Sequence, residues 1–195
     1  MDTNHDTTST PGIGSDAAPG STPPVAGAAD LPARPVAASR VTLSRVMTLL
    51  DANSVGNVHG GVIMREVDTT AGMAAVRHAA GKVCVTAAID ELSFREPVHI
   101  GDLLLVTASV NDVGRTSLEV GVKVEAEPWR GGERRHTTSA YLVMVCLDED
   151  GRPSAVPPLE VETDDERRRQ AQARIRRQVR KERLARIGAW QPETG

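Results

Sequence analysis

The sequence predicts an α+β fold, a single domain in which one antiparallel sheet wraps around one central helix. Three observations point there. One long apolar-periodic segment, about 60–80, reads as a helix. Four β-rich segments follow between about 83 and 149, and no second long helix interrupts them. The only aromatic residues are Phe94, Trp129, Tyr141 and Trp190, so the core must be built from Val, Leu, Ile, Ala and Met.

Residues 1–38 are mostly Ala, Pro, Ser, Thr and Gly. Such a stretch buries too little apolar surface to offset its ordering entropy, so a disordered arm is expected. From Ser39 the pattern changes. Val41, Leu43 and Val46 suit a first strand running to about Leu49, and 56–59 form a turn. In the helix that follows, the apolar positions include Val62, Ile63, Val67, Ala71, Ala74, Ala75 and Val76. Its small residues keep it thin, which lets other backbone approach closely. Strands are then expected at about 83–94, 102–113, 116–127 and 134–149. Gly114-Arg115 joins the second and third of these as a tight hairpin, and Arg130-Gly131-Gly132 turns the next. After a proline-rich stretch, Thr163 and Glu166 have the spacing of a capping box, with acidic residues leading and basic ones following along a helix. Ile175, Val179, Leu184 and Ile187 give that helix an apolar stripe, expected to lie on the domain or on a neighbouring subunit. The divisions are therefore an arm (1–38), a domain (39–160), and a C-terminal helix and tail (161–195).

The net charge of -3 is unevenly spread: the middle, 41–160, carries -5 and the tail +4. So acidic a middle argues against nucleic-acid binding, and the basic tail reads as a solvated helix. No segment approaches the length and apolarity of a membrane span, and the start lacks an apolar leader. Cys84 and Cys146 sit in separate apolar runs and read as free buried thiols, which implies a reducing, cytoplasmic compartment. No Cys or His cluster suggests a metal.

Chemistry concentrates in DANSVGNVHGGVIMREVDTTAGMAAVRH, residues 51–78. An Asn-rich loop runs into Gly60-Gly61, whose backbone N–H groups at a helix start can stabilise an oxyanion; losing one such donor typically costs roughly 10²–10³ in rate. Asp68 lies about two turns further on and can act as a base for water. It is the residue that structure alone explains least, because an unpaired buried carboxylate is costly. Pairing with Arg65, or an exposed helix face, is the plain alternative. Asn53 and Asn57 also suit a turn. His59 can donate near an oxyanion or cap the helix, and His78 reads as a structural cation near the helix end.

The chain also resembles a known family. The words DANSVGNVHGG, VDTTAGMAAVRH, VTAAIDELSFREPVHIGD and GRPSAVPPLEVETDDERRR resemble, in order and spacing, the hotdog-fold acyl-CoA thioesterases of the cytosolic brain-type and bacterial short-chain group. The resemblance spans about 41–180. It implies acyl-CoA hydrolysis with no cofactor, CoA being part of the substrate, in a homo-oligomer: a dimer of hotdogs or a trimer of such dimers. It also implies a site between two subunits, with Asn57 from one and Asp68 from the other. Thr86, Ala87, Ala88, Arg115, Thr116 and Ser117 would contact the nucleotide part of CoA. The short-chain bacterial members carry an aspartate where Asn57 stands, so their substrate range is no guide. Two other functions stay open. A hotdog hydratase would want an Asp and His pair that is not found, and a non-catalytic acyl-CoA sensor could dispense with Asp68.

Overall fold

The computed structural model describes residues 31–188. They form, in order, β1 (Arg34–Pro35), α1 (Val36–Ser39), β2 (Val41–Val46), a short 3₁₀ turn (Leu49–Asp51), α2 (Gly60–His78), β3 (Cys84–Phe94), β4 (Asp102–Val113), β5 (Ser117–Pro128), β6 (Arg135–Cys146), β7 (Leu159–Glu160) and α3 (Asp164–Gly188). Five strands make one antiparallel sheet in the order β2-β4-β5-β6-β3. β3 follows the helix in sequence yet occupies the far edge, beside β6.

The period-2 pattern sorts the sheet into two faces. Leu104, Val106, Ala108 and Val110 of β4, Val120, Val122 and Val124 of β5, and Ala140, Leu142 and Met144 of β6 form one buried cluster with the α2 stripe Ile63, Val67, Ala71, Ala74 and Ala75. Alanines on that stripe bring the helix axis close to the strands, and large β-branched and aliphatic residues opposite fill the space. The other face is polar. α3 lies over it, and arginines meet buried acids: Arg176 grips Glu119 at 2.6 and 3.1 Å, Arg177 reaches Asp112 at 2.9 Å, and Arg180 pairs with Asp90. Thr163 and Glu166 form the expected capping box.

Three expectations need correcting. The ordered chain begins before residue 38: Arg34–Pro35 pair in parallel with Leu159–Glu160, and Val36 and Ser39 are buried. Ser39 Oγ accepts the N–H of Val110, a partner too distant in sequence for composition to reveal. The rest of the expected arm, 1–30, and Trp190 lie outside the described residues. The first strand stops at Val46, and Leu49 and Leu50 are 82% and 97% exposed in the turn beyond it. α3 lies on the domain, one of its two expected placements, and Ile175, Val179, Leu184 and Ile187 are all more than half exposed within the single chain. His78 is fully buried rather than a cation at a helix end; its Nε2 lies 3.0 Å from the Pro157 carbonyl, and burial lowers its pKa.

No helix among the described residues is long and apolar enough to cross a membrane. The two thiols are free, as expected, but they are neighbours: Cys84 and Cys146 face each other across β3 and β6.

Candidate active site

The loop before α2 is braced from both sides. Asp51, 3% exposed, accepts the Thr48 N–H at 2.8 Å and hydroxyl at 2.9 Å, and Arg45 at 2.6 Å. The Thr48 N–H is the chief reason its pKa lies below the usual carboxylate range, with the Thr48 hydroxyl and Arg45 adding to it against the opposing effect of burial. Arg45 also donates to Glu66 of α2 at 2.9 Å, so one guanidinium ties β2, the loop and the helix together. Asn53 then closes the loop. Its Oδ1 accepts the N–H groups of Val55 and Asn57, each at 3.0 Å, and Gly56 supplies the left-handed turn with φ +85. With Oδ1 engaged, the Asn53 amide N–H groups have no protein partner among the described residues.

Asn53 and Asn57 line a pocket of about 330 Å³ with Gly60, Ile63, Phe94 and Val98. The Gly60 N–H faces no helical acceptor, as expected at a helix start. A Cβ on Gly60 would stand 3.4 Å from the Phe94 ring, so the glycine lets that ring lie against the backbone. Gly61 differs from expectation. His59 Nδ1 accepts its N–H at 2.9 Å and caps the helix, so that donor is already engaged.

Asp68 stands elsewhere. It is exposed on α2, between the exposed side chains of Met64 and Met73, and it does not pair with Arg65, which contacts Glu66. The Thr86 hydroxyl donates to Asp68 Oδ1 at 2.6 Å. Thr86 thus orients a carboxylate. Ala87 is the extra residue of a β-bulge just beyond it, and Ala88 pairs with Val143. Val145 pairs with both Val85 and Ser117, so the β4–β5 turn carrying Arg115, Thr116 and Ser117 lies at the Asp68 end of the sheet. Arg115 is exposed there.

Within one chain the candidate residues therefore fall into two separate groups. Asp68, Thr86 and the Arg115 turn lie at one end of β3; Asn53, Asn57 and Gly60 lie at the other, where Phe94 ends the strand. Along β3, Thr86 and Phe94 are roughly 20 Å or more apart, and α2 rises about 12 Å between Gly60 and Asp68. Asn57 and Asp68 do not meet within the chain. Among the described residues no group of three or more His, Cys, Asp or Glu is placed to hold a metal ion.

The antiparallel sheet around one helix matches a known class. The sequence pattern of the Thioesterase superfamily covers residues 55–131. Protein VdlD of Helicobacter pylori is 36% identical over 142 residues, covering 73% of this chain and 80% of that protein. The uncharacterized acyl-CoA thioester hydrolase YkhA of Bacillus subtilis is 36% identical over 126 residues, covering 65% and 72%. A hexameric acyl-CoA thioesterase, solved without ligand, superposes with a TM-score of 0.76 at 37% identity, covering 80% of this chain and 99% of that one. An acyl-CoA hydrolase from Staphylococcus aureus, in complex with butyryl-CoA, CoA and CoA disulfide, gives 0.75 at 30% identity, covering 80% and 95%. The chain belongs to the acyl-CoA thioester hydrolases of the hotdog fold.

Proposed function

We propose that this protein hydrolyses acyl-CoA thioesters to a free fatty acid and CoA, at sites completed by two copies of the chain. The observation that carries the shared site is the separation of Asp68 from the Asn53–Gly60 loop along β3. β3 is an edge strand of eleven residues with unpaired backbone groups on its outer side. Two copies pairing this edge antiparallel about a two-fold axis would bring the Thr86 end of one β3 against the Phe94 end of the other. Asp68 of one copy then approaches the loop of its partner. Exposed Val85, Ile89 and Phe94 on this strand, and Leu49, Leu50 and Val55 on the loop, suit such a covered surface. The hexameric relative is consistent with a trimer of such dimers.

In this reading the Thr86 hydroxyl occupies Asp68 Oδ1 and leaves Oδ2 to take a proton from water. The water attacks the thioester carbonyl, and the developing oxyanion meets the Gly60 N–H at the positive end of α2. Asp68 returns the proton to the departing CoA sulfur. No cofactor is needed beyond the CoA carried by the substrate, and two free thiols fit a cytoplasmic setting. Arg115 at its exposed turn suits the CoA phosphates.

The asparagine in this scheme is better assigned to Asn53 than to Asn57. The Staphylococcus aureus enzyme was also solved with an asparagine, an aspartate and a threonine separately replaced by alanine. There the asparagine precedes the aspartate by fifteen residues, and the threonine follows it by seventeen. Here Asn53 precedes Asp68 by fifteen, Asn57 by eleven, and Thr86 follows by eighteen. The loop hydrogen bonds engage Asn53 Oδ1 and leave its amide N–H groups without a partner among the described residues.

The test is thiol release from short- to long-chain acyl-CoAs by wild type, Asp68→Asn and Asn53→Ala. Rates about 100-fold lower in both variants, with acyl-CoA still bound, are expected. Tight binding without turnover by wild type would sink the reading in favour of a sensor.

A further inference from the structure

The two cysteines, 62 residues apart in sequence, are brought within 2.6 Å of each other, sulfur to sulfur. The backbone around them is arranged for a covalent bond. Leu147 donates its N–H to the Val83 carbonyl, so the neighbouring Cys84–Cys146 pair falls at a non-hydrogen-bonded position of the antiparallel ladder. Such positions hold the two Cα atoms about 4.5 Å apart, within the range a disulfide spans. Cys146 N–H is satisfied from the opposite side by the Thr116 carbonyl at 3.0 Å, so closing the bond breaks no ladder contact. Cys84 is half-buried and Cys146 fully buried. Either sulfur can donate in their contact.

We propose that Cys84 and Cys146 are a modification site: a dithiol that reacts with a low-molecular-weight disulfide to form an intrachain bond within the folded protein. Cys84, the accessible sulfur, attacks one sulfur of the small disulfide as a thiolate, its proton having passed to Cys146 or to water. The disulfide bond breaks, and one small thiol leaves with a proton. Cys146 then attacks the Cys84 side of the mixed disulfide and expels the second small thiol, which takes the remaining proton. The protein loses two hydrogen atoms and two electrons, and the small disulfide becomes two thiols. The bond joins edge strand β3 to β6 on the helix side of the sheet, two residues from Thr86 and so next to the carboxylate that Thr86 holds.

The experiment treats native full-length protein with excess glutathione disulfide and follows intact mass and thiol titre. Wild type should become lighter by two hydrogen atoms, lose both thiols without a glutathione adduct, and regain them with dithiothreitol. A linked peptide containing Cys84 and Cys146 should appear on digestion without reduction. The oxidised form should unfold about 5 °C or more above the reduced form, because the bond closes a long loop. Cys146→Ser should stop at a stable adduct on Cys84, and Cys84→Ala should take up no glutathione. Unchanged thiols in wild type, an adduct that never resolves, or cross-links between chains would each overturn the assignment.

Discussion

At Asp68 a single hydrogen bond separates a solvated surface carboxylate from an oriented one: the Thr86 hydroxyl fixes one oxygen and leaves its twin directed outward. Thr86→Val keeps the shape, removes that donor, and should lower kcat more than it raises KM, read from steady-state thiol release. His78 has the opposite character, a buried imidazole held against the Pro157 carbonyl. Unfolded, it takes up a proton near 6.5; folded, burial resists that proton. As pH falls through 6.5 the unfolded chain gains a proton that the folded chain refuses, so stability is full above that pH and declines below it. His78→Gln should flatten the fall in melting temperature between pH 7 and 5.

The elements divide by how local their causes are. The limits of β3, β4 and β5 came within a residue of expectation, because period-2 alternation and the Gly114 turn are local signals; β6 differed only by reaching less far at its end. α1 and β1 were illegible, since Val36 and Ser39 are fixed by strands far along the chain. The site was legible in part. Asp68 and the glycine pair stand out in the sequence, whereas the roles of Asn53, His59 and Thr86 depend on which backbone or side-chain atom each one meets. α3 shows the same dependence on distant residues. Its arginines, not its apolar residues, face the sheet within the chain, because the outer sheet face presents Glu119, Asp112 and Asp90. Arg176 also stacks over Tyr141 at 3.6 Å. Arg176→Ala strands a buried Glu119 carboxylate and should cost about 3 kcal/mol in urea denaturation. Adding Glu119→Gln should recover much of that loss.

For the whole molecule, the proposed shared site makes activity a property of pairs. Asp68→Asn and Asn53→Ala proteins, each inactive alone, should regain activity when unfolded together and refolded. With random pairing, half the dimers are mixed and each has one intact site, so about a quarter of wild-type turnover is expected. Recovery near zero would place both groups in the same site of the same chain. The strand order has a consequence of its own, in the time domain. α2 and β3 are synthesised before β4, β5 and β6, yet among the described residues β3 finds its only sheet neighbour in β6, the last long strand. Until β6 arrives, β4 and β5 can already cover part of the α2 stripe, but β3 has no strand of this sheet to pair with. Contacts so distant in sequence slow folding, so the β3 edge, where a second copy is proposed to pair, should be the last part of the sheet to form.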